Sequence, residues 1–133
     1  MTRVTLATVL NAVLFVALVP MFTEAHHSDV MFDEKKEITV QGVVKEFQFT
    51  NPHSWLLVDV TNKDGSVTTW GFEAEGPSTL MRNKVRKSDF PFGTKLKITG
   101  RPMKDGRPAA AWSKAVRDDG TEFYPRGRAS QTN

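Results

Sequence analysis

Two Asp-Gly pairs, each between runs of β-branched and aromatic residues, constrain the fold of this chain most. One lies in the segment KDGS (63–66) and the other in KDGR (104–107). An Asp-Gly pair suits the positive φ angles of a tight hairpin turn, so each pair predicts antiparallel strands on its two sides. The chain is therefore expected to be built mainly from short β-strands.

One helix interrupts the predicted strands. Gly76 and Pro77 precede STLMRNKVRK, in which Leu80, Met81 and Val85 form a short apolar stripe, and Pro77 suits an early helical position. Gly42 predicts a bulge or tight bend within the first strand. The predicted strands cover residues 38–49, 54–62, 67–75, the latter part of 90–102, 109–116 and the short segment 121–124.

This order of elements predicts a mainly β protein. Three strands, a helix and two or three further strands match a small five- to six-stranded OB-like Greek-key barrel, with one short helix between strands 3 and 4. Lipocalin-like and open-sheet arrangements fit the same pattern of strands. No internal repeat and no second domain is visible in the sequence.

The N-terminal segment has the pattern of an export signal. A short basic start, MTR, precedes the uncharged apolar run VTLATVLNAVLFVALVP. Thr23 and Ala25 place small side chains at positions −3 and −1 of a cleavage site before His26. The apolar run is slightly short for a membrane span, and an uncleaved anchor is the alternative.

This reading divides the chain into a cleaved signal peptide (1–25), a barrel domain (26–125) and a disordered polar tail (126–133). The protein is then expected to be periplasmic or secreted, by export of the Gram-negative bacterial type. No stable membrane anchor is expected after cleavage.

Composition excludes several classes of function. The chain has no cysteine, so disulfides, thiolate metal ligands and a cysteine nucleophile are excluded. A net charge of +3 is too small and too scattered to indicate nucleic-acid binding. No G-x-S-x-G elbow is present, and Glu73 and Glu75, which share one face of a strand, are better explained as solvated charges than as a catalytic pair. A binding protein is favoured over an enzyme.

The histidines carry the most specific chemistry. All three lie in two short motifs, His26-His27-Ser28 and Asn51-Pro52-His53. Cleavage before His26 would free an α-amine that can chelate a metal ion together with the imidazole Nδ1 of the same residue. A third nitrogen from His53 would complete a histidine brace, and such a nitrogen set favours copper.

Further side chains extend this hypothesis. His27 is an alternative or fourth ligand, and Glu73 is the carboxylate most suited to orient a histidine. The remaining candidate ligands are the oxygens of Asp29, Asp33 and Glu75 and the thioether of Met31. Without a metal, the two N-terminal histidines would form a flexible leader, and His53 would be a turn residue at the end of a strand.

The aromatic residues support a third interpretation. OB barrels commonly bind ligands across strands 2 and 3 by aromatic stacking. The residues available for such a platform are Trp55, Trp70, Phe72 and Trp112. Core packing is the favoured explanation for Trp70 and Phe72, because aromatic and polar residues alternate along their strand.

Taken together, the motifs resemble those of DUF6152, a family of exported bacterial proteins of unknown function. The similar segments are HHSDVMFDEKKEITVQGVVKEFQFTNPHSWLLVDV, WGFEAEGPSTLMRNKV and FGTKLKITGRPMKDGRPAA. Thr94 replaces a usual acidic residue, and Lys84-Val85 replaces a usual Gly-Trp pair. The resemblance implies export and a compact β fold, places His26, His27 and His53 within the motifs of the family, and implies no activity.

The sequence therefore predicts an exported, small β-barrel protein that binds a metal ion, with copper as its cofactor and copper carriage or sensing as its role. The metal site would consist of His26, His27, His53 and Glu73. The alternative is a metal-free module of the cell envelope that binds a ligand or a partner protein. Nucleic acid is not expected as a partner, and the oligomeric state is left open.

Overall fold

The computed structural model describes residues 30–128. Within this range the elements are β1 (Ile38–Gln48), β2 (His53–Thr61), β3 (Val67–Glu75), the helix α1 (Pro77–Arg82), a 3₁₀ turn (Lys87–Asp89), β4 (Lys95–Pro102), β5 (Ala109–Arg117) and β6 (Glu122–Phe123). Among the described residues, no helix is long and apolar enough to cross a membrane. All six predicted strands and the predicted helix are present.

The strands close into a barrel. They follow the order β3-β2-β1-β4-β5-β6. An additional pairing between β3, the first strand of this row, and β5, the fifth, closes the row into a barrel. That closing pair is parallel, whereas all the other strand pairs are antiparallel. The structure is thus a closed five-stranded barrel with one extra strand, and the OB-like prediction is confirmed.

Turn chemistry matches the prediction from the Asp-Gly pairs. Gly65 and Gly106 have φ angles of 85° and 80°, in the left-handed region that glycine adopts without steric cost. Asp64 Oδ1 accepts hydrogen bonds from both the backbone N–H and the hydroxyl of Ser66, which tighten the first turn. The resulting β2–β3 register pairs Thr61 with Val67 and His53 with Glu75.

A single apolar core fills the barrel. It is built by the inward side chains of alternating strand residues, and α1 and the loop after it contribute Leu80, Val85 and Phe90. Phe90 and Trp112 meet edge to face with ring centroids 5.4 Å apart. The buried members of this core are Val44, Phe47, Leu56, Val58, Phe72, Ala74, Leu80, Val85, Phe90, Leu96, Ile98, Ala110, Trp112, Ala115 and Phe123.

Two local predictions require correction. The register of β1 shifts between Val44 and Glu46, and Gly42 pairs regularly with Leu96. Glycine is needed at 42 for another reason, because a Cβ there would lie 2.5 Å from the carbonyl oxygen of Asp59. Met81 is 53% exposed and does not join the buried stripe, because on a helix it points about 100° away from its buried neighbour Leu80.

Candidate functional site

His53 and Glu73 meet on the outer face of the β2–β3 hairpin. On β3 the neighbours of Glu73, Phe72 and Ala74, point into the core, so Glu73 points outward. His53 lies opposite Glu75 in the register, which places it diagonally across from Glu73 on the same face. The structure therefore brings together two of the residues that the sequence analysis assigned to the metal site.

The loop before β2 holds His53 in position. The Thr50 hydroxyl donates to the carbonyl of His53 at 3.2 Å, and the Ser54 hydroxyl donates to the carbonyl of Thr50 at 3.3 Å. The Asn51–Pro52 bond, immediately before His53, is cis. A Cβ on Gly76 would lie 2.6 Å from Asn51 Oδ1, so the absence of a side chain at 76 lets this loop pack against the end of β3.

The contact between the two side chains is short and largely buried. His53 Nδ1 lies 2.8 Å from Glu73 Oε1, and the side chains are 33% and 8% exposed. A carboxylate with so little exposure requires polar partners, because its charge has lost most of its hydration. Glu73 holds the imidazole by Nδ1, so Nε2 is the nitrogen through which His53 can bind a metal ion.

Trp55 borders the same surface. Its Cα partner across the hairpin is Glu73, and residues 53 and 55 share one face of β2. A Cβ on Gly71 would lie 3.1 Å from Trp55 Cε3, so the indole packs over that glycine. The missing side chain at 71 lets the indole lie close to the sheet, beside the His53–Glu73 pair.

A second, smaller apolar cluster lies on the outer face next to Glu73. Phe32 is 2% exposed and packs with Met103, Ala109 and Ala111. Ala111 is the Cα partner of Glu73 in the parallel β3–β5 pair. Through Ala111, the Phe32 cluster therefore adjoins the strand position of the buried Glu73 carboxylate.

Backbone hydrogen bonds fix the segment that carries Phe32. The Asp33 N–H donates to the carbonyl of Pro102 at 2.8 Å, and the Lys104 N–H donates to the carbonyl of Met31 at 3.0 Å. Lys104 Nζ also donates to the carbonyl of Val30 at 2.8 Å. We call residues 30–33 together with these contacts the Phe32 clasp.

Most of the other candidate ligands are separate from the pair or already occupied. Asp33 receives a hydrogen bond from the Lys35 N–H, which lowers the pKa of its carboxyl, and lies 3.3 Å from Lys36 Nζ. Glu75 forms an ion pair with Arg126 at 3.1 Å. Met31 is 41% exposed. His26, His27 and Asp29 lie outside the described residues.

Within residues 30–128, no group of three or more His, Asp, Glu or Cys side chains is placed to hold a metal ion. The described barrel thus supplies His53 and Glu73 alone from the predicted set. The predicted signal peptide, the N-terminal end of the domain and most of the predicted disordered tail also lie outside the described range. Of that tail, Arg126 contacts the barrel through Glu75.

The four aromatic residues do not form one exposed platform. Phe72 and Trp112 are 0% and 2% exposed and belong to the core. Trp70 is half-buried and packs against the core, with its ring centroid 6.2 Å from that of Phe72. Trp55 lies on the outer face. Alternation along the strands places Trp70, Phe72 and Trp112 on the inner side of the sheet and Trp55 on the outer side.

Sequence reasoning missed the Phe32 clasp. The available signal was the short apolar run Val30-Met31-Phe32 in the otherwise polar stretch before β1. Its partner segments, around Met103 and Ala111, lie far along the chain, and no periodic pattern connects them with Phe32.

Comparison with known proteins gives a family and no activity. The model of DUF6152, described as a family of unknown function, matches residues 13–111, which include both histidine motifs. No curated protein and no solved structure matches the chain.

Proposed function

The chain belongs to DUF6152, a family of unknown function, and we propose from its own residues that it is an exported copper-binding protein. The site consists of the α-amine and imidazole of His26 and the imidazole of His53, with His27 as an alternative or fourth ligand. Glu73 orients His53. The observation that carries the proposal is the 2.8 Å contact between His53 Nδ1 and the buried Glu73 carboxylate.

This contact is the arrangement found around metal-binding histidines. Such residues generally donate one ring N–H to a carboxylate or carbonyl, which fixes the ring and raises the basicity of the other nitrogen. Here the Glu73 side chain is 8% exposed and the His53 side chain is 33% exposed, so the carboxylate lies below the surface and the imidazole reaches the surface. A ring held in this way loses little further freedom when Nε2 binds a metal ion.

The Phe32 clasp supports the contribution of the N-terminus. It anchors the chain at Ala111, which is the Cα partner of Glu73 on the neighbouring strand. Six residue steps separate His26 from Phe32, and an extended chain of that length spans up to roughly 20 Å. We expect this reach to bring the His26 amine to His53, provided that the N-terminus is created before His26.

The ligand set points to copper among the common metals. Imidazole and amine nitrogens bind Cu(II) more tightly than Zn(II), Ni(II) or Co(II), according to the Irving–Williams order. Two of the three proposed nitrogens come from one residue, so the protein has to position only His53 relative to the terminus. Copper carriage or sensing is the proposed role.

The experiment starts from protein recovered from the cell envelope after native processing. Mass spectrometry is expected to show His26 as the N-terminal residue. Cu(II) titration, followed by electron paramagnetic resonance, is expected to show one copper per chain in a nitrogen-rich site. An N-terminus at any other residue removes the amine ligand and excludes the brace.

A His53→Ala variant tests the third nitrogen. We expect its copper affinity to fall by about 3 kcal/mol, roughly a hundredfold in Kd, and the nitrogen hyperfine pattern to change. An unchanged spectrum and affinity would leave the metal-free envelope module as the better description.

Trp55 offers a second readout that does not depend on the spectrum of the metal. Because Trp55 borders His53, bound Cu(II) is expected to quench its fluorescence. A Trp55→Phe variant is the matched control, and it should remove most of the quenching while leaving the affinity unchanged.

A further inference from the structure

Phe92 is the most exposed large hydrophobic side chain among residues 30–128, with 83% of its surface accessible. It follows Phe90, which is 2% exposed and belongs to the core, and Pro91 separates the two. A phenylalanine held in water on a small domain contributes nothing to core packing. Its exposure leaves the ring available for contact with another surface.

The turn that carries Phe92 is firmly held. The Thr94 N–H and hydroxyl both donate to the carbonyl of Pro91, at 3.1 and 2.8 Å. Gly93 has a φ of 87°, and its N–H donates to the carbonyl of Val44 at 2.9 Å, while the Val44 N–H donates to the carbonyl of Thr94 at 2.8 Å. The ring is thus displayed on a turn tied to the barrel wall.

Basic side chains flank this turn. Lys87 and Lys95 lie on either side of it in sequence, and Ser88, Pro91, Gly93 and Lys95 line one cleft of about 380 Å³. Lys95 also shares a second cleft with Lys97. We call Phe92 with the four exposed basic residues near it in sequence, Arg86, Lys87, Lys95 and Lys97, the Phe92 tip. In the described part of the chain, none of these four forms an ion pair.

Three carboxylates lie in the same region, and two of them have partners. Asp89 Oδ2 accepts a hydrogen bond from the Arg86 N–H at 2.7 Å, and Asp119 pairs with Arg117 at 2.8 Å. Asp118 is exposed, and its N–H donates to the carbonyl of Lys95. The partner of Asp89 is a neutral N–H, so Asp89 and Asp118 keep their charges, and the four unpaired cations outnumber these two carboxylates.

We propose that the Phe92 tip docks on an anionic phospholipid surface. An exposed aromatic ring among unpaired cations matches the requirements of such a surface, because the ring enters the headgroup region while the cations meet lipid phosphates. A protein partner is disfavoured by the three lysines of the tip, since lysine is depleted in protein–protein interfaces. The proposal does not depend on copper binding, because the tip shares no residue with the His53 site.

The association is expected to be weak and reversible. One inserted side chain is a single anchoring signal, and the basic residues supply the second. Phe92→Ala is expected to lower partitioning onto anionic vesicles on the order of tenfold. Each lysine removed from the tip is expected to lower it roughly fivefold.

The test uses the absence of cysteine in the chain. A Phe92→Cys variant of the full chain, labelled with the small aromatic fluorophore bimane, is mixed with phosphatidylcholine vesicles with and without phosphatidylglycerol. We expect a blue shift only with the anionic vesicles. The label reports the surroundings of residue 92 alone, so the apolar N-terminal run does not produce the signal.

A matched control is available at Val67, which is 61% exposed on the β2–β3 hairpin. Bimane at Val67→Cys is expected to show no shift, and Lys87→Ser with Lys95→Ser is expected to abolish the shift at position 92. The proposal is overturned if neither vesicle shifts the label at 92, if both vesicles shift it equally, or if positions 92 and 67 respond alike. Phe92→Ala with undiminished partitioning would overturn it as well.

Discussion

Two glutamates of this barrel are both engaged by neighbouring polar groups, yet their surroundings differ. The side chain of Glu122, on the two-residue edge strand β6, is 35% exposed and contacts Lys114 Nζ at 2.6 Å, the Tyr124 hydroxyl at 2.8 Å and Arg128 at 3.2 Å. Glu73 lies on the closed barrel wall with 8% of its side chain exposed and contacts His53 at 2.8 Å.

The difference shows that the number of contacts is a poor guide to function. Exposed ion pairs are screened by water and contribute little to the free energy of folding, however many partners they have. A buried carboxylate is costly to keep charged, so it restricts the groups around it much more strongly. The proposed function therefore rests on Glu73, which contacts the imidazole of His53, and no function is proposed for Glu122.

The largest expected effect is on the free energy of unfolding, after removal of the Phe32 side chain near Glu73. Phe32→Ala removes the aromatic side chain that packs on Ala111, beside Glu73. We expect the free energy of unfolding to fall by about 2–3 kcal/mol, as measured by urea denaturation. Phe92→Ala is the control and is expected to leave that free energy unchanged. Equal effects of the two substitutions would show that the Phe32 clasp adds nothing to stability.

The next largest expected effect is on the affinity for Cu(II), which should depend on Glu73 and not on Glu122. Glu73→Gln keeps the size of the side chain but removes the charge that orients His53. We expect the affinity for Cu(II) to fall roughly 10- to 100-fold, in a titration of the natively processed protein. Glu122→Gln is the matched substitution, and its affinity should equal that of the unaltered protein. If both variants bind copper like the parent, Glu73 does not position a metal ligand.

The smallest expected effect is the loss at acid pH of the stability that the exposed Glu122 contributes. Hydrogen bonds from Lys114 and then from Tyr124 hold the pKa of Glu122 below its ordinary value of 4.5. The ionised form is thus favoured by folding, so its stabilisation is present above pH 4.5 and is lost as the pH falls through the lowered pKa.

Glu122→Gln is accordingly expected to unfold at a slightly lower urea concentration than the parent at neutral pH. The difference should vanish once the pH falls below the lowered pKa of Glu122. Glu37→Gln, an exposed substitution before β1, should show no difference at either pH. A difference that grows on acidification would contradict the assigned direction of the pKa shift.

Much of the fold could be predicted because its signals are local. Alternating β-branched residues and the two Asp-Gly turns predicted β3 over the same residues, 67–75, that it occupies in the structure. The predictions failed where distant contacts decide the outcome. The backbone of β2 leaves no room for a Cβ at Gly42, and the packing of α1 on the core through Leu80 leaves the adjacent Met81 exposed.

For the candidate site, the sequence by itself determined the chemistry that is available. The sequence contains three histidines in two motifs and no cysteine, and its pattern predicts that Glu73 lies on a strand. These are properties of residue type and spacing, which need no knowledge of how the chain folds.

The tertiary structure alone decided which of these groups meet. Hairpin register placed His53 diagonally across from Glu73, and the parallel β3–β5 closure placed Ala111 and the Phe32 clasp beside them. Register and closure depend on how all the strands pack around one core, and a shift by one residue would turn Glu73 into the barrel. For this reason the residues of the pair could be named from the sequence, whereas their contact could be seen only in the fold.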